Sequence, residues 1–133
     1  MSNAAKVNEY LDQAKLFYLL TIDGEQPKGR PIGFHMLVDD TVYFGVGTFK
    51  NVYKQLIADP HVEFLATTGD TFMRYDGIAT PVQDDALMAK VREIMPQIMD
   101  HYDQNGWELG LFYLADGHAE IRGMFDLKEE FDV

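Results

Sequence analysis

Apolar residues recur at two spacings along this chain, and the switches between those spacings mark its elements. Ala4, Val7, Leu11 and Ala14 fall on one face at helical spacing, so residues 3–14 are expected to be helical, with Ser2 or Asn3 as the cap. Leu16 to Ile22 (LFYLLTI) is apolar without alternation, the mark of a strand buried on both faces. Asp23-Gly24 opens a turn that runs through Pro27, and Lys28 to Val38 is read as the returning strand. Pro31 in that strand implies an edge position, a bulge or a break, and Gly33 weakens regular pairing. Asp39-Asp40 turns into a third strand bearing Tyr43, Phe44 and Val46. Thr48 is the expected cap of a helix that begins near Phe49, buries Val52, Tyr53, Leu56 and Ile57, and stops at Pro60.

The second half repeats the alternation. His61 to Thr68 and Thr71 to Val82 form strands around Gly69-Asp70, with a bulge expected at Gly77. Asp84 or Asp85 caps a helix through Met95 whose core face carries Leu87, Val91, Ile94 and Met95. Pro96 starts or kinks a further helical piece with Ile98, Met99 and Tyr102 inward, and Asn105-Gly106 ends it. Leu109 to Ala115 and His118 to Asp126 are read as a hairpin across Asp116-Gly117, followed by a solvated acidic tail, KEEFDV. The fold class is mainly β, with about seven antiparallel strands and roughly three flanking α-helices, closed into a barrel or covered because open apolar edges aggregate.

Composition narrows the functional classes. At 133 residues the chain is expected to be one domain with a real core. The net charge of −11 argues against a nucleic-acid surface and against an anionic membrane. There is no cysteine, which excludes disulfides, thiolate chemistry and cysteine-based metal sites. With no membrane-length apolar run and no signal-peptide pattern, the cytoplasm is the expected compartment.

Against that acidic background two windows lack carboxylates: Gln26 to Val38, with Lys28 and Arg30, and Thr41 to Ala58, with Lys50 and Lys54. Pairing of the second and third strands through Asp39-Asp40 would bring Pro31 level with Thr48, and Arg30 towards the helix start bearing Lys50. An arginine fork, a lysine point charge and the free N–H groups of a helix start are complementary means of holding a phosphate.

The runs FYLLTIDGEQPKGRPIGF and VYFGVGTFKNVYKQLIADPHVEF, and the strand FMRYDGIATPV followed by a helix, resemble the pyridoxamine 5′-phosphate oxidase-like flavin-binding proteins, in particular their short bacterial members. The resemblance implies a six- to seven-stranded split β-barrel and a homodimer with one FMN per subunit at the interface. It would place Arg30 on the FMN phosphate, the backbone of Pro31, Ile32 and Gly33 along the flavin ring, and Gly45 and Val46 on the ring or ribityl chain. Thr48, Lys50 and Asn51 would complete the phosphate pocket. TFKN stands where true oxidases carry Ser-Arg-Lys, and near the C-terminus only His118 and Arg122 are offered, so vitamin B6 oxidation is not the expected reaction.

Catalysis in such a site belongs to the flavin, and no catalytic side chain is assigned. The expected function is an oxidoreductase acting between a reduced nicotinamide nucleotide and a small molecule. Rival readings are a flavin store or sensor without turnover, or use of the same cleft for deazaflavin or haem. His35, His61, His101 and His118 show no metal-binding spacing, Met88, Met95 and Met99 read as packing residues, and Trp107 as an interface anchor.

Overall fold

Phe44 and Phe64 stack with ring centroids 3.9 Å apart at the heart of the molecule, and the sheet wraps around them. In the computed structural model, which describes residues 1–133, the elements are α1 (Asn3–Ala14), β1 (Phe17–Asp23), β2 (Gln26–Ile32), β3 (His35–Val38), β4 (Thr41–Gly47), α2 (Asn51–Ala58), β5 (His61–Thr68), β6 (Thr71–Val82), α3 (Asp85–Ile94), α4 (Pro96–Asn105), β7 (Leu109–Arg122) and β8 (Leu127–Asp132). The eight strands are antiparallel in the order β2-β1-β5-β6-β7-β4-β3, with β8 added beside β7.

The sheet curls far enough for non-neighbouring strands to meet. Phe17 of β1 lies edge-on to Phe44 of β4 at 6.1 Å and to His35 of β3 at 5.7 Å, although neither strand pairs with β1. Helix α1 covers that seam with Val7 and Leu11 fully buried, and Ser2 caps it by accepting from the Ala5 N–H. Phe17, Phe44, Phe64 and Phe112 are wholly buried, each worth about 1.5–3 kcal/mol relative to exposure. A smaller cluster of Met36, Leu87, Val91, Met99 and Leu111 seats α3 and α4.

Several expectations are corrected. Strand β1 is not buried on both faces: its pattern alternates, with Tyr18 at 45 % exposure, and Leu16 just before it is 53 % exposed. The stretch Lys28 to Val38 is two strands, broken at Gly33-Phe34. Strand β2 pairs with β1 alone, so Pro31 is on an edge and faces Tyr18, while of the two pieces β3 is the one that pairs with β4. Pro31 therefore never comes into register with Thr48. The turn Asp39-Asp40 holds, with both residues at positive φ as a two-residue hairpin demands.

Asp116-Gly117 is not a hairpin turn. Strand β7 runs straight through it because β6 pairs along one side, while β4 and then β8 share the other. The expected irregularity at Gly77 lies opposite this point. The acidic tail is strand β8, tied to α1 by Lys6–Glu129 at 2.7 Å and by the Asn3 side chain donating to the Asp132 carbonyl at 2.8 Å. The break and the tail each add a strand and the merging of the expected last hairpin into β7 removes one, so the sheet has eight strands where six to seven were expected.

Helix α2 also differs. Lys50, not Thr48, is its N-cap residue, and no side chain caps it. The Thr48 N–H and hydroxyl both turn to the Glu108 carbonyl, joining β7 instead. Val52 and Leu56 are buried, whereas Ile57 is 52 % exposed. The Tyr53 ring rests directly on Gly110 of β7, where any Cβ would collide with Tyr53 Cε1.

Candidate functional site

Arg30 sits opposite Leu19 in the β1–β2 ladder, and its side chain passes under α2. One guanidinium nitrogen donates to the Leu19 carbonyl at 3.0 Å and to Thr21 Oγ1 at 2.7 Å. The other donates to Gln55 Oε1 at 2.9 Å, and Thr21 Oγ1 donates to the same oxygen at 2.6 Å. A guanidinium has five N–H donors. These three bonds leave two donors for another acceptor. Partial burial lowers the Arg30 pKa from its ordinary value, but a guanidinium remains charged throughout the biological range.

The partners set this arginine apart. The chain has four arginines. Arg74 and Arg122 both pair with Glu120, and Arg92 pairs with Asp103. Arg30 alone is held by a carbonyl, a hydroxyl and an amide, all neutral. Its charge is thus positioned without being compensated.

Helix α2 adds unused donors. The amides of Asn51 and Val52 have no backbone partner, since the bonds at this end begin with Tyr53 and Lys54 donating to Lys50 O. Asn51, Lys54 and Gln55 line a cleft of ≈ 520 Å³ closed on its far side by Ile22, Asp23 and Gly24. That volume is within the ~300–1,000 Å³ of small-molecule sites. Asp59 also lines the cleft, but at the opposite end of α2 from Asn51, roughly 12 Å away at 1.5 Å per residue, and its carboxylate accepts from the His61 N–H. Asp23 reaches the rim from the β1–β2 turn, a carboxylate the linear window around α2 did not include.

The expected site residues do not all converge. Asn51 and Lys54 line the cleft together with Gln55, which the sequence reading missed, and Arg30 meets this group only through Gln55 without lining the cleft itself. The signal for that network was Thr21, the lone threonine in an apolar strand, which is 2 % exposed. Lys50 extends towards the Phe49 ring, 6.0 Å from its centroid. Thr48 is committed to Glu108. Val46 is buried in the barrel core, and the space a side chain at Gly45 would take is met by Leu109 and Leu111 at 3.0–3.3 Å. Only the backbone of these two is available to a ligand. It has an open flank: β3 ends at His35 opposite Phe44, so Gly45, Val46 and Gly47 have β7 on one side and no strand on the other. Pro31 and Ile32 lie on the free edge of β2, and Gly33 follows them in a gap where a Cβ would meet only the Lys15 carbonyl at 3.7 Å. This opening between β2 and β4 is the split in the barrel.

Trp107 stacks on Phe49 at 4.5 Å and meets His101 and Tyr102 edge-on. His35 is bonded at both nitrogens, to Asn8 at 2.6 Å and Asp12 at 3.0 Å; burial lowers its pKa and Asp12 opposes that shift. His118 is likewise bonded at both nitrogens, to Asp132 and Glu130.

This architecture is the split β-barrel of the pyridoxamine 5′-phosphate oxidase-like proteins. The chain is similar to a NimC/NimA family protein from Clostridium acetobutylicum, with a TM-score of 0.88, 24 % identity and coverage of 100 % of this chain and 95 % of the other. It is also similar to a pyridoxamine 5′-phosphate oxidase-related, FMN-binding protein from Nostoc punctiforme PCC 73102, with a TM-score of 0.69, 15 % identity and coverage of 95 % and 86 %. The haem storage protein HutZ from Vibrio cholerae shares the fold at a TM-score of 0.64 and 15 % identity, over 92 % of this chain and 95 % of the other. At these identities the likeness is one of fold. No protein-family model and no curated protein matches the sequence. No helix is long and apolar enough to cross a membrane.

Proposed function

We propose that this protein binds FMN in the split of its barrel and acts as an oxidoreductase, with a reduced nicotinamide nucleotide as donor and a small molecule as acceptor. The observation that carries the reading is Arg30, the one arginine with neutral partners and donors to spare, bonded to Gln55 one turn into a helix whose start is uncapped. A phosphate monoester fits that donor set: Arg30 gives two N–H groups, α2 its first amides, and Asn51 and Lys54 flank them. The free edges of Pro31 to Gly33 and of Gly45 to Gly47 would border the ring, and Thr48 and Lys50 would lie at the rim. The redox chemistry would be the flavin's own; the chain's part is to anchor the phosphate, hold the ring and shape the space above it.

The proposed active form is a homodimer. Leu16 and Tyr18 are large apolar side chains left half in water at the start of β1, and Phe49 with Trp107 forms a second exposed aromatic surface. Light scattering on the purified protein is expected to give twice the mass of one chain.

The spectrum tests the cofactor. Protein incubated with FMN and desalted is expected to retain the flavin absorbance and to bleach anaerobically with NADH or NADPH. A protein that retains no FMN overturns the reading, and retention without bleaching leaves a flavin store or sensor. The same scan separates deazaflavin and haem. His35 and His118 have both ring nitrogens already bonded, which leaves His61 and His101 as the imidazoles open to a haem iron.

A further inference from the structure

A second pocket, of ≈ 210 Å³, lies between the start of α1, the β3–β4 turn and the bulged middle of β7. It shares no lining residue with the α2 cleft. An apolar cavity of ~150 Å³ accommodates benzene, so this one has room for a substituted ring.

Tyr75 lines it and is 2 % exposed, yet its hydroxyl has no hydrogen-bond partner within the chain. Every fully occluded side-chain polar atom is satisfied, so this hydroxyl opens on the pocket. Burial pushes its pKa up, which keeps it protonated and able both to donate and to accept. Gly117 makes the room: a Cβ there would stand 3.1 Å from Tyr75 Cε1 and 3.3 Å from its oxygen. Val42, Leu114 and Val133 supply apolar wall.

The rim is acidic. Asp40 and Asp116 both line the pocket and both hold left-handed backbone, at φ 64° and 52°. Both are exposed, and neither has an ion pair or a side-chain hydrogen bond. Two free carboxylates around an apolar recess repel anions and attract cations, and an unpartnered buried hydroxyl inside favours a ligand with a polar group at its far end.

We propose that this pocket binds a compact organic amine, its ammonium between Asp40 and Asp116, its apolar body against Val42 and Leu114, and a hydroxyl at its far end bonded to Tyr75. The probes are tyramine, phenethylamine (no hydroxyl), 4-ethylphenol (no ammonium) and 4-hydroxyphenylacetate (an anion), titrated into isotope-labelled protein while the amide signals of Thr41, Tyr75 and Val133 are followed. Tyramine is expected to bind tightest and 4-hydroxyphenylacetate weakest. Tyr75→Phe is expected to weaken tyramine roughly three- to tenfold, the range of one hydrogen bond, and to leave phenethylamine unchanged. The double variant Asp40→Asn, Asp116→Asn is expected to weaken tyramine and spare 4-ethylphenol. No shift at these amides with millimolar tyramine means that the pocket holds only water and overturns the proposal, as does 4-hydroxyphenylacetate binding as tightly as tyramine. Should Tyr75→Phe fail to fold, the ranking of the four probes on the unaltered protein decides.

Discussion

Arg30 and His118 are two cations in opposite company. Arg30 is half-buried among a carbonyl, a hydroxyl and an amide, so one positive charge is left uncompensated beneath α2. His118 lies between Asp132 at 2.9 Å and Glu130 at 3.0 Å, carboxylates that push its pKa up to about 9. There the local sum is one negative charge, and nothing positive remains for a ligand. The first cation is positioned for something else; the second is consumed in holding β8 to β7. In an acidic protein, the identity of a cation's partners separates a binding group from a fastening better than the number of bases nearby.

The largest expected effect follows from removing the uncompensated charge. Arg30→Ala is expected to weaken FMN binding by about 1.5–3 kcal/mol, the range for hydrogen bonds to charged groups, measured by flavin fluorescence titration. Arg74→Ala, whose guanidinium is already bound to Glu120, is expected to leave that affinity unchanged. Equal losses in both would break the comparison. Arg30→Lys is expected to recover little, because one ammonium cannot replace a planar fork that spans Thr21 and Gln55.

A smaller effect tests which lysine belongs to the cleft. Lys54→Ala is expected to cost roughly 0.2–1 kcal/mol of FMN affinity, as exposed charge contacts do, and Lys50→Ala less, since Lys50 lies against Phe49. The reverse order would move the phosphate to the Thr48–Lys50 corner.

The smallest effect is on stability and comes from His118. Its folded-state pKa of about 9 exceeds the ordinary 6.5, so folding favours the protonated form. That contribution is complete below about pH 6.5 and is lost as the pH rises through about 9. Amide exchange in β8 is expected to speed up across that interval, beyond the intrinsic rise with pH, and His118→Gln to abolish the excess. An excess confined to the acid side would contradict the assignment.

The barrel's aromatic and aliphatic strands could be read from the chain because each carries its own period and turn residues. The misplacements arose where pairing at a distance overrode local signals. Gly33 and Phe34 release β2 from the path towards β4, and the short Asp23-Gly24 turn captures it for β1. Asp116-Gly117 has the composition of a turn, but β6, β4 and β8 flank β7 and keep it extended. The KEEF tail conceals a strand whose charges face water and α1. At the cleft, Asn51 and Lys54 were legible, and the helix was too, although its start was placed two residues early and its cap at the wrong residue. Gln55 was not, because an amide on a surface helix has no distinguishing pattern until Arg30 reaches it.

Gly110 carries a consequence for how this cleft tolerates change. With the Tyr53 ring against that backbone, α2 is seated on the sheet at a spot with no room for a side chain at position 110. An alanine at 110 would act as a shim, lifting the helix and drawing Gln55 away from the arginine it steadies. Position 110 thereby becomes a volume control for the contact between Gln55 and Arg30, set from the far side of the helix.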